Sequence, residues 1–373
     1  PHALMPAGEP GIAFDRVRWA LADLTRRAAL KGTHRRYSEE VDPLLDTLCS
    51  RFTRLALLEL SADGRSLPSR AIIACQTACP ATEAFLASLL SLAEDDQSLA
   101  VTADGWEIVP DSRDQSSAQD IWNSLVADDP DYFQIVHSVG RIGMHLGRLL
   151  AGGATLSEIC PQESSLATLL RQVLGSSGKQ KIGQAVRELI GRGLRDLPEG
   201  RRLRIVEISA GAPLFAMDVC SAMDFNRGDY CFASTSASVL DEVLGHLKEC
   251  SPEVDTQLIG EPPWQGSAGS ASSTGCALAI VVLDFGTLET TLQALDHARS
   301  CLAVGGSLVV IGQHPSRWID FVFGARQEGW SRQEGGSWLS GQRPSFFWQQ
   351  QLKESGFASC ELFEFSPDTL SGP

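Results

Sequence analysis

Apolar and polar positions follow two different rhythms along the chain. In the first half they recur every three to four residues, as on one face of a helix. FDRVRWALADLTRRAAL places Phe14, Val17, Leu21 and Leu24 on such a face, and VDPLLDTLCSRFTRLALLEL does the same with Leu44, Leu48, Phe52, Leu55 and Leu58. A third helix, ATEAFLASLLSLAEDD, leads into LAVTADGWEIVP, where two short alternating strands flank a hairpin turn at Asp104-Gly105. Helices followed by such a hairpin predict a winged-helix-like unit. GGATLSEICP, from Gly152 to Pro161, predicts a hinge after it.

The second half alternates strands with helices. QAVRELIGRGLRDL is a helix, RLRIVEIS a strand, DYCFAS a second strand, SASVLDEVLGHLKEC a helix and VDTQLIG a third strand. GSAGSASSTG reads as a loop, and CALAIVVLDF as a strand buried on both faces. TLETTLQALDHARSCLAVGG predicts a helix stopped by its Gly-Gly pair, before the strand SLVVIG. Units of this length specify an α/β fold with a parallel, doubly wound sheet. The domain expectation is a helical, winged-helix-like lid over residues 1–160 and a Rossmann-like core over 161–373.

Charge and composition narrow the partners. The chain has 373 residues, enough for two cores, and a net charge of −15 from 31 Lys+Arg against 46 Asp+Glu. Nucleic acid and anionic membranes both need a basic footprint, so neither is expected, and the winged unit reads as packing or a lid. No apolar run approaches the ~20 residues that cross a bilayer. The chain opens PHALMPAGEP, without Met or a signal-peptide core, and closes PDTLSGP, so both ends are expected to continue in a longer protein. The ten cysteines include no CxxC pair; Cys75 and Cys79 in AIIACQTACP come nearest, and free thiols in a reducing, cytoplasmic compartment are expected. His137 and His145 share an apolar helical stretch with no ligand-type residue at metal spacing.

LRIVEISAGAP, Leu203 to Pro213, has the address of a ligand loop, since doubly wound sheets bind ligands at the carboxyl ends of their strands. Its residues do not suit one. Backbone must approach a ligand closely there, yet Ser209, Ala212 and Pro213 stand in the turn, and proline offers no N–H. Glu207 could equally be a polar cap at a strand end.

From about Val17 to Phe357 the order of segments resembles the C-methyltransferase domain of modular type I polyketide synthases. YCFASTSASVL is similar to that family's second strand and turn. LQALDHARSCLAVGGSLVVIGQHPSRWIDFVFGARQEGW is similar to its stretch from the fourth helix through the fifth strand, and FFWQQQLKESGF to its closing helix. The resemblance implies a class I methyltransferase fold using S-adenosylmethionine, and the departures from the family pattern bear on function. Where the family reads Glu-x-Gly-x-Gly-Thr-Gly, this chain keeps Glu207 and Gly211 but has Ser209, Ala212 and Pro213. The carboxylate that would take the ribose hydroxyls is Ser234, and the acidic residue near the adenine is Ile259. The family's base, a His, corresponds to Gly286, and the Glu that orients it to Ile311. His314 is a substitute base without an evident orienting acid.

The resemblance therefore implies a degenerate domain: no catalytic residue, no metal, no cofactor unless it is an active enzyme after all, and only vestigial cofactor positions at Glu207, Ser209, Gly211, Pro213, Ser234 and Ile259. Neighbouring synthase domains are the implied partners. Arg187, Arg192, Arg195, Arg201, Arg202 and Arg204 could dock an acidic acyl carrier protein, or form a solvated basic helix end. An active carrier-dependent C-methyltransferase and a repurposed carrier-interaction module are the alternatives. Two expectations concern single residues. Leu214 and Phe215 should bury themselves and, with Pro213, take up part of the donor's volume. Substitutions at Glu207 or Gly286 should cost little.

Overall fold

The computed structural model describes residues 12, 14–29, 37–78, 83–110, 116–159, 166–211, 213–250, 254–259, 275–284, 287–325, 330–332 and 338–363. Its contacts divide the chain into two units, Pro1–His34 with Leu174–Gln313 and Pro344–Pro373, and Arg35–Val173 with His314–Arg343. A single cut after residue 160 does not describe this division. The reason lies in what each segment buries. Ile12, Val17 and Ala20 share a cluster with Ile205 and Leu278, whereas Trp318 and Phe321 share one with Leu48 and Phe52.

The first helix, α1 (Phe14–Ala29), belongs to the sheet unit. The other unit begins with a π-helical turn at Tyr37–Val41 and α2 (Asp42–Leu60). The strand β1 (Ser66–Pro68), α3 (Ser69–Ala78), α4 (Glu83–Asp95), β2 (Leu99–Thr102) and β3 (Gly105–Ile108) follow. The three strands form an antiparallel sheet in the order β1-β3-β2, so the expected hairpin forms, with its turn at Ala103-Asp104 and Gly105 already paired with Thr102 in β3. Then come α5 (Ala118–Asp128), α6 (Phe133–Leu150), the short α7 (Leu156–Ile159) and α8 (Leu166–Asp196). Ser117 starts α5 by accepting from the Asp120 N–H while the Asp120 carboxylate returns the bond. The stretch read as a hinge holds α7, and the unit boundary falls further on, within α8.

Helix α2 buries a slightly different face from the one expected. Leu48 and Phe52 are inside, but Leu44 and Leu55 are exposed, and Leu45, Cys49, Ala56 and Leu57 complete the buried stripe. Nearly every turn of this helix carries apolar residues, so helical spacing fits more than one stripe; α6, with its fully buried Val139, Ile142 and Leu146, packs beside it.

The sheet unit carries the β-α-β rhythm. Its strands are β4 (Leu203–Ile208), β5 (Gly228–Ser234), β6 (Asp255–Leu258), β7 (Cys276–Val282) and β8 (Leu302–Ile311). Its helices are α1, the later part of α8, α9 (Ala216–Ala222), α10 (Ala237–Cys250), α11 (Leu288–Cys301) and a closing helix at Ser345–Glu354. The five strands are parallel in the order β6-β5-β4-β7-β8. Both faces are covered. Ile205, Tyr230, Phe232 and Leu278 bury on one side, and Val206, Cys231, Ala279 and Val281 on the other. Continuous apolar strands need this arrangement.

Helix α11 stops at Cys301, four residues before the Gly-Gly pair. The pair lies inside β8 rather than ending the helix. Cys276 faces Leu302 and Leu278 faces Ser307, so the strand loops out between them. Gly305 has φ +78°, and a side chain on Gly306 would stand 2.9 Å from the carbonyl oxygens of Ala303 and Cys276. The glycines make a bulge rather than a cap.

After β8 the chain forms α12 (Arg317–Phe323), the paired strands β9 (Trp330–Arg332) and β10 (Trp338–Ser340), and α13 (Ser345–Glu354). Among the described residues no helix is long and apolar enough to cross a membrane. The described cysteines Cys49, Cys75, Cys220, Cys231, Cys276, Cys301 and Cys360 are free thiols. Cys79 and most of GSAGSASSTG lie outside the described residues.

Candidate functional site

The strand order reverses at β4: the chain steps from β4 to β5 and β6 on one side, then to β7 and β8 on the other. Ile208, the last residue of β4, pairs with Ala233 of β5 and Val281 of β7, so the turn after it opens at the switch point where such sheets take ligands. The expected address is therefore real.

Strand alternation turns Glu207 toward the face that buries Ile205, Phe215 and Tyr230, and its side chain is wholly buried. A buried carboxylate needs donors, and it has them. The Leu214 N–H donates to Oε1 at 2.5 Å, the Phe215 N–H to the same oxygen at 3.0 Å, and the Tyr230 hydroxyl to Oε2 at 2.7 Å. Burial and then the adjacent Glu207 carboxylate hold the Tyr230 phenol well above its ordinary pKa, so it remains a donor. Glu207 is a buried bracket joining β4, β5 and the start of α9, and the expectation that it tolerates change is corrected on that ground.

A second buried carboxylate holds the turn itself. Asp284 follows β7 and accepts from the Ala210 N–H at 2.7 Å, the Ser209 hydroxyl at 2.6 Å and the Gly211 N–H at 3.3 Å. The Ser209 hydroxyl oxygen also accepts from the Gly211 N–H at 3.2 Å. Sequence reasoning took Asp284 only as part of the buried strand CALAIVVLDF. The available signal was a lone acid directly after the uncharged run CALAIVVL, where a charge must find partners or leave the interior.

The remaining expected positions scatter in role. Ser234 ends β5 fully buried, its hydroxyl 3.5 Å from the Ala210 carbonyl and 3.4 Å from the Ser236 N–H. Ile259 is half-buried against the cluster of Val206 and Ala233, and its N–H reaches the Ser234 carbonyl. Pro213 is half-buried, and Leu214 and Phe215 are buried as expected, in the cluster of Ile205 and Tyr230. Ala212 and Gly286 lie outside the described residues. Ile311 ends β8 as an apolar packing residue, and His314 is exposed. His137 stacks on Phe133, and no group of described residues could hold a metal ion.

The arginine row is largely committed. Arg202 and Arg204 both bond Asp229, Arg187 meets Asp218, and Arg192 pairs with Glu188 and lies 4.9 Å over the Trp19 ring. Arg195 and Arg201 are exposed.

No protein-family model matches the sequence. A curated relative, the hybrid PKS-NRPS synthetase poxE of Penicillium oxalicum, is 23% identical over 239 residues, which are 62% of this chain and 6% of that synthetase. Three solved structures superpose over nearly the whole chain. The CurJ carbon methyltransferase gives a TM-score of 0.71 at 21% identity, covering 93% of each chain. The citrinin polyketide synthase CMeT domain gives 0.70 at 17% identity, over 93% of this chain and 91% of its own. The DszA carbon methyltransferase gives 0.69 at 16% identity, over 99% and 94%. The chain has the class I methyltransferase fold.

That fold implies S-adenosylmethionine, and the residues present do not fit it. The donor's ribose hydroxyls would need an acceptor at the end of β5, where the Ser234 hydroxyl is buried between the Ala210 carbonyl and the Ser236 N–H. The described amides of the turn, at Ala210, Gly211, Leu214 and Phe215, all bond to Asp284 or Glu207, and Pro213 has none to offer.

Proposed function

We propose that this chain is a C-methyltransferase-like domain of a polyketide synthase that transfers no methyl group and serves as a structural element for its neighbours. The observation that carries the reading is the turn after β4, whose amides are spent on the internal carboxylates Asp284 and Glu207. Ile311 and the exposed His314 add support, because neither makes an oriented base at the strand ends. The proposal includes a donor volume partly taken by Pro213, Leu214 and Phe215. Its partners are the adjoining synthase domains of a cytoplasmic assembly. A carrier protein is a weaker partner, since Asp229, Asp218 and Glu188 already answer most of the arginine row.

The test is incubation of the chain with S-adenosylmethionine and a β-ketoacyl chain tethered to a carrier protein, read by mass spectrometry. General-base catalysis contributes about 10²–10⁴-fold, so no product is expected beside an active homologue. A donor-dependent mass gain of one methylene unit would overturn the proposal.

A further inference from the structure

Successive backbone N–H groups in a turn make an anion-binding concavity. At residues 209–211 that concavity already contains an anion. The Asp284 carboxylate takes the N–H of Ala210 on one oxygen, and the Ser209 hydroxyl and Gly211 N–H on the other. We infer that the turn after β4 is an anion cradle whose resident anion is the chain's own Asp284, so that the switch-point site is filled from within.

Three features make this more than a chance contact. Asp284 and Ser209 are both buried, at 4% and 1% exposure, so neither is a surface side chain that happens to rest there. Ser209 is part of the device: its hydroxyl donates to Asp284 and accepts from the Gly211 N–H, fastening the turn at two points. A glycine there would leave Asp284 with one donor fewer. Finally, the next amides are treated the same way, since Leu214 and Phe215 donate to Glu207. The Ser209 N–H is spent as well, on the Ala233 carbonyl. An anionic or nucleoside ligand arriving at this turn would have to expel a buried carboxylate into a setting of apolar strands. The turn is therefore a closed, self-ligated joint between β4 and β7 rather than an empty socket.

The test is amide hydrogen exchange, resolved residue by residue, on the full chain. In wild type, exchange at residues 209–215 should not change on adding S-adenosylmethionine to about 1 mM, a dose on the scale of ordinary cofactor and substrate affinities. In Asp284→Asn, which keeps one oxygen for the Ala210 N–H, the Gly211 amide should exchange roughly tenfold faster, while Leu214 and Phe215 hold. Asp284→Gly should open both Ala210 and Gly211, and acetate, which replaces the missing carboxymethyl group, should slow those two again where chloride does not. Should that variant fail to fold, Ser209→Ala serves instead, with faster exchange confined to Gly211 as the expected result. Unchanged exchange at 211 in Asp284→Asn, unchanged exchange at 210 and 211 in Asp284→Gly, or donor-dependent protection of this segment in wild type, overturns the inference. A methylated product in the transfer assay would strike the functional proposal alone, because the cradle is read from exchange and not from turnover.

Discussion

Glu207 shows how far one residue's role depends on what surrounds it. In the sequence it ends an apolar strand and looks like an ordinary polar cap. In the fold it is wholly buried and receives two N–H groups and a phenol. Glu207→Ala would leave those three donors without their acceptor, each costing about 1–3 kcal/mol, so a loss of at least roughly 3 kcal/mol is expected. Glu207→Gln keeps one oxygen for Leu214 and Phe215 and should cost about 1–2 kcal/mol. Urea denaturation of both variants checks the ranking, and equal costs for the two would contradict the bracket role. The sequence showed the loop's address and its unsuitable residues, because both are local properties. It could not show what holds the loop, because Asp284 is brought to Ser209 only by the pairing of β7 with β4.

Elements carry the next kind of evidence. Asp46, on α2, is half-buried, with Asp42 of the same helix, Asp96 after α4 and Arg317 at the start of α12 acting on it. Desolvation, then Asp42, push its carboxyl up to about 6 from an ordinary 3.8, against the pull of Arg317. The folded state therefore binds more protons than the unfolded state between those values, and stability from this group falls as pH rises through about 6. Relative to wild type, Asp46→Asn should gain on the order of 1 kcal/mol on going from pH 5 to pH 7.5, once solvent screening of a partly exposed group is allowed for. Thermal melts of both proteins across that range test the sign. The hairpin of β2 and β3 offers a steric counterpart. Gly105 has φ +144°, and a Cβ there would stand 2.3 Å from the Leu67 carbonyl oxygen. Gly105→Ala should cost about 2–4 kcal/mol, measurable by the same melts. These elements differed in legibility for physical reasons. The hairpin and the buried strands announce themselves through alternation and unbroken apolar runs. The stripe of α2 was misjudged because Leu44, Leu45, Leu48, Leu55 and Leu57 satisfy helical spacing in more than one way. The Gly-Gly pair was misread because a helix stop and a strand bulge use the same residue for the same freedom at positive φ.

At the scale of the molecule, the chain is two cores. Leu48, Phe52, Val139, Trp318 and Phe321 belong to one, and Ile205, Phe215, Tyr230 and Leu278 to the main cluster of the other. This division was only half legible: both periodicities were visible, but α1 and α12 joined cores far from their sequence neighbours. Each unit buries its own apolar side chains, which is the condition for local opening to be confined to it. A substitution in one core should then leave the amides of the other undisturbed. Glu207→Ala acts within the sheet unit and Gly105→Ala within the helical one, on residues with no shared partner, so their costs should add within about 0.3–0.5 kcal/mol. Hydrogen exchange should show each effect confined to its own unit: faster in β4, β5 and α9 for the first, and in β1, β2 and β3 for the second. Coupling larger than that, or faster exchange in α6 when Glu207 is removed, would mean that the two cores open as one. The distinction bears on the proposal above, because independent cores would let the ligand chemistry of the sheet unit change while the other unit stays intact.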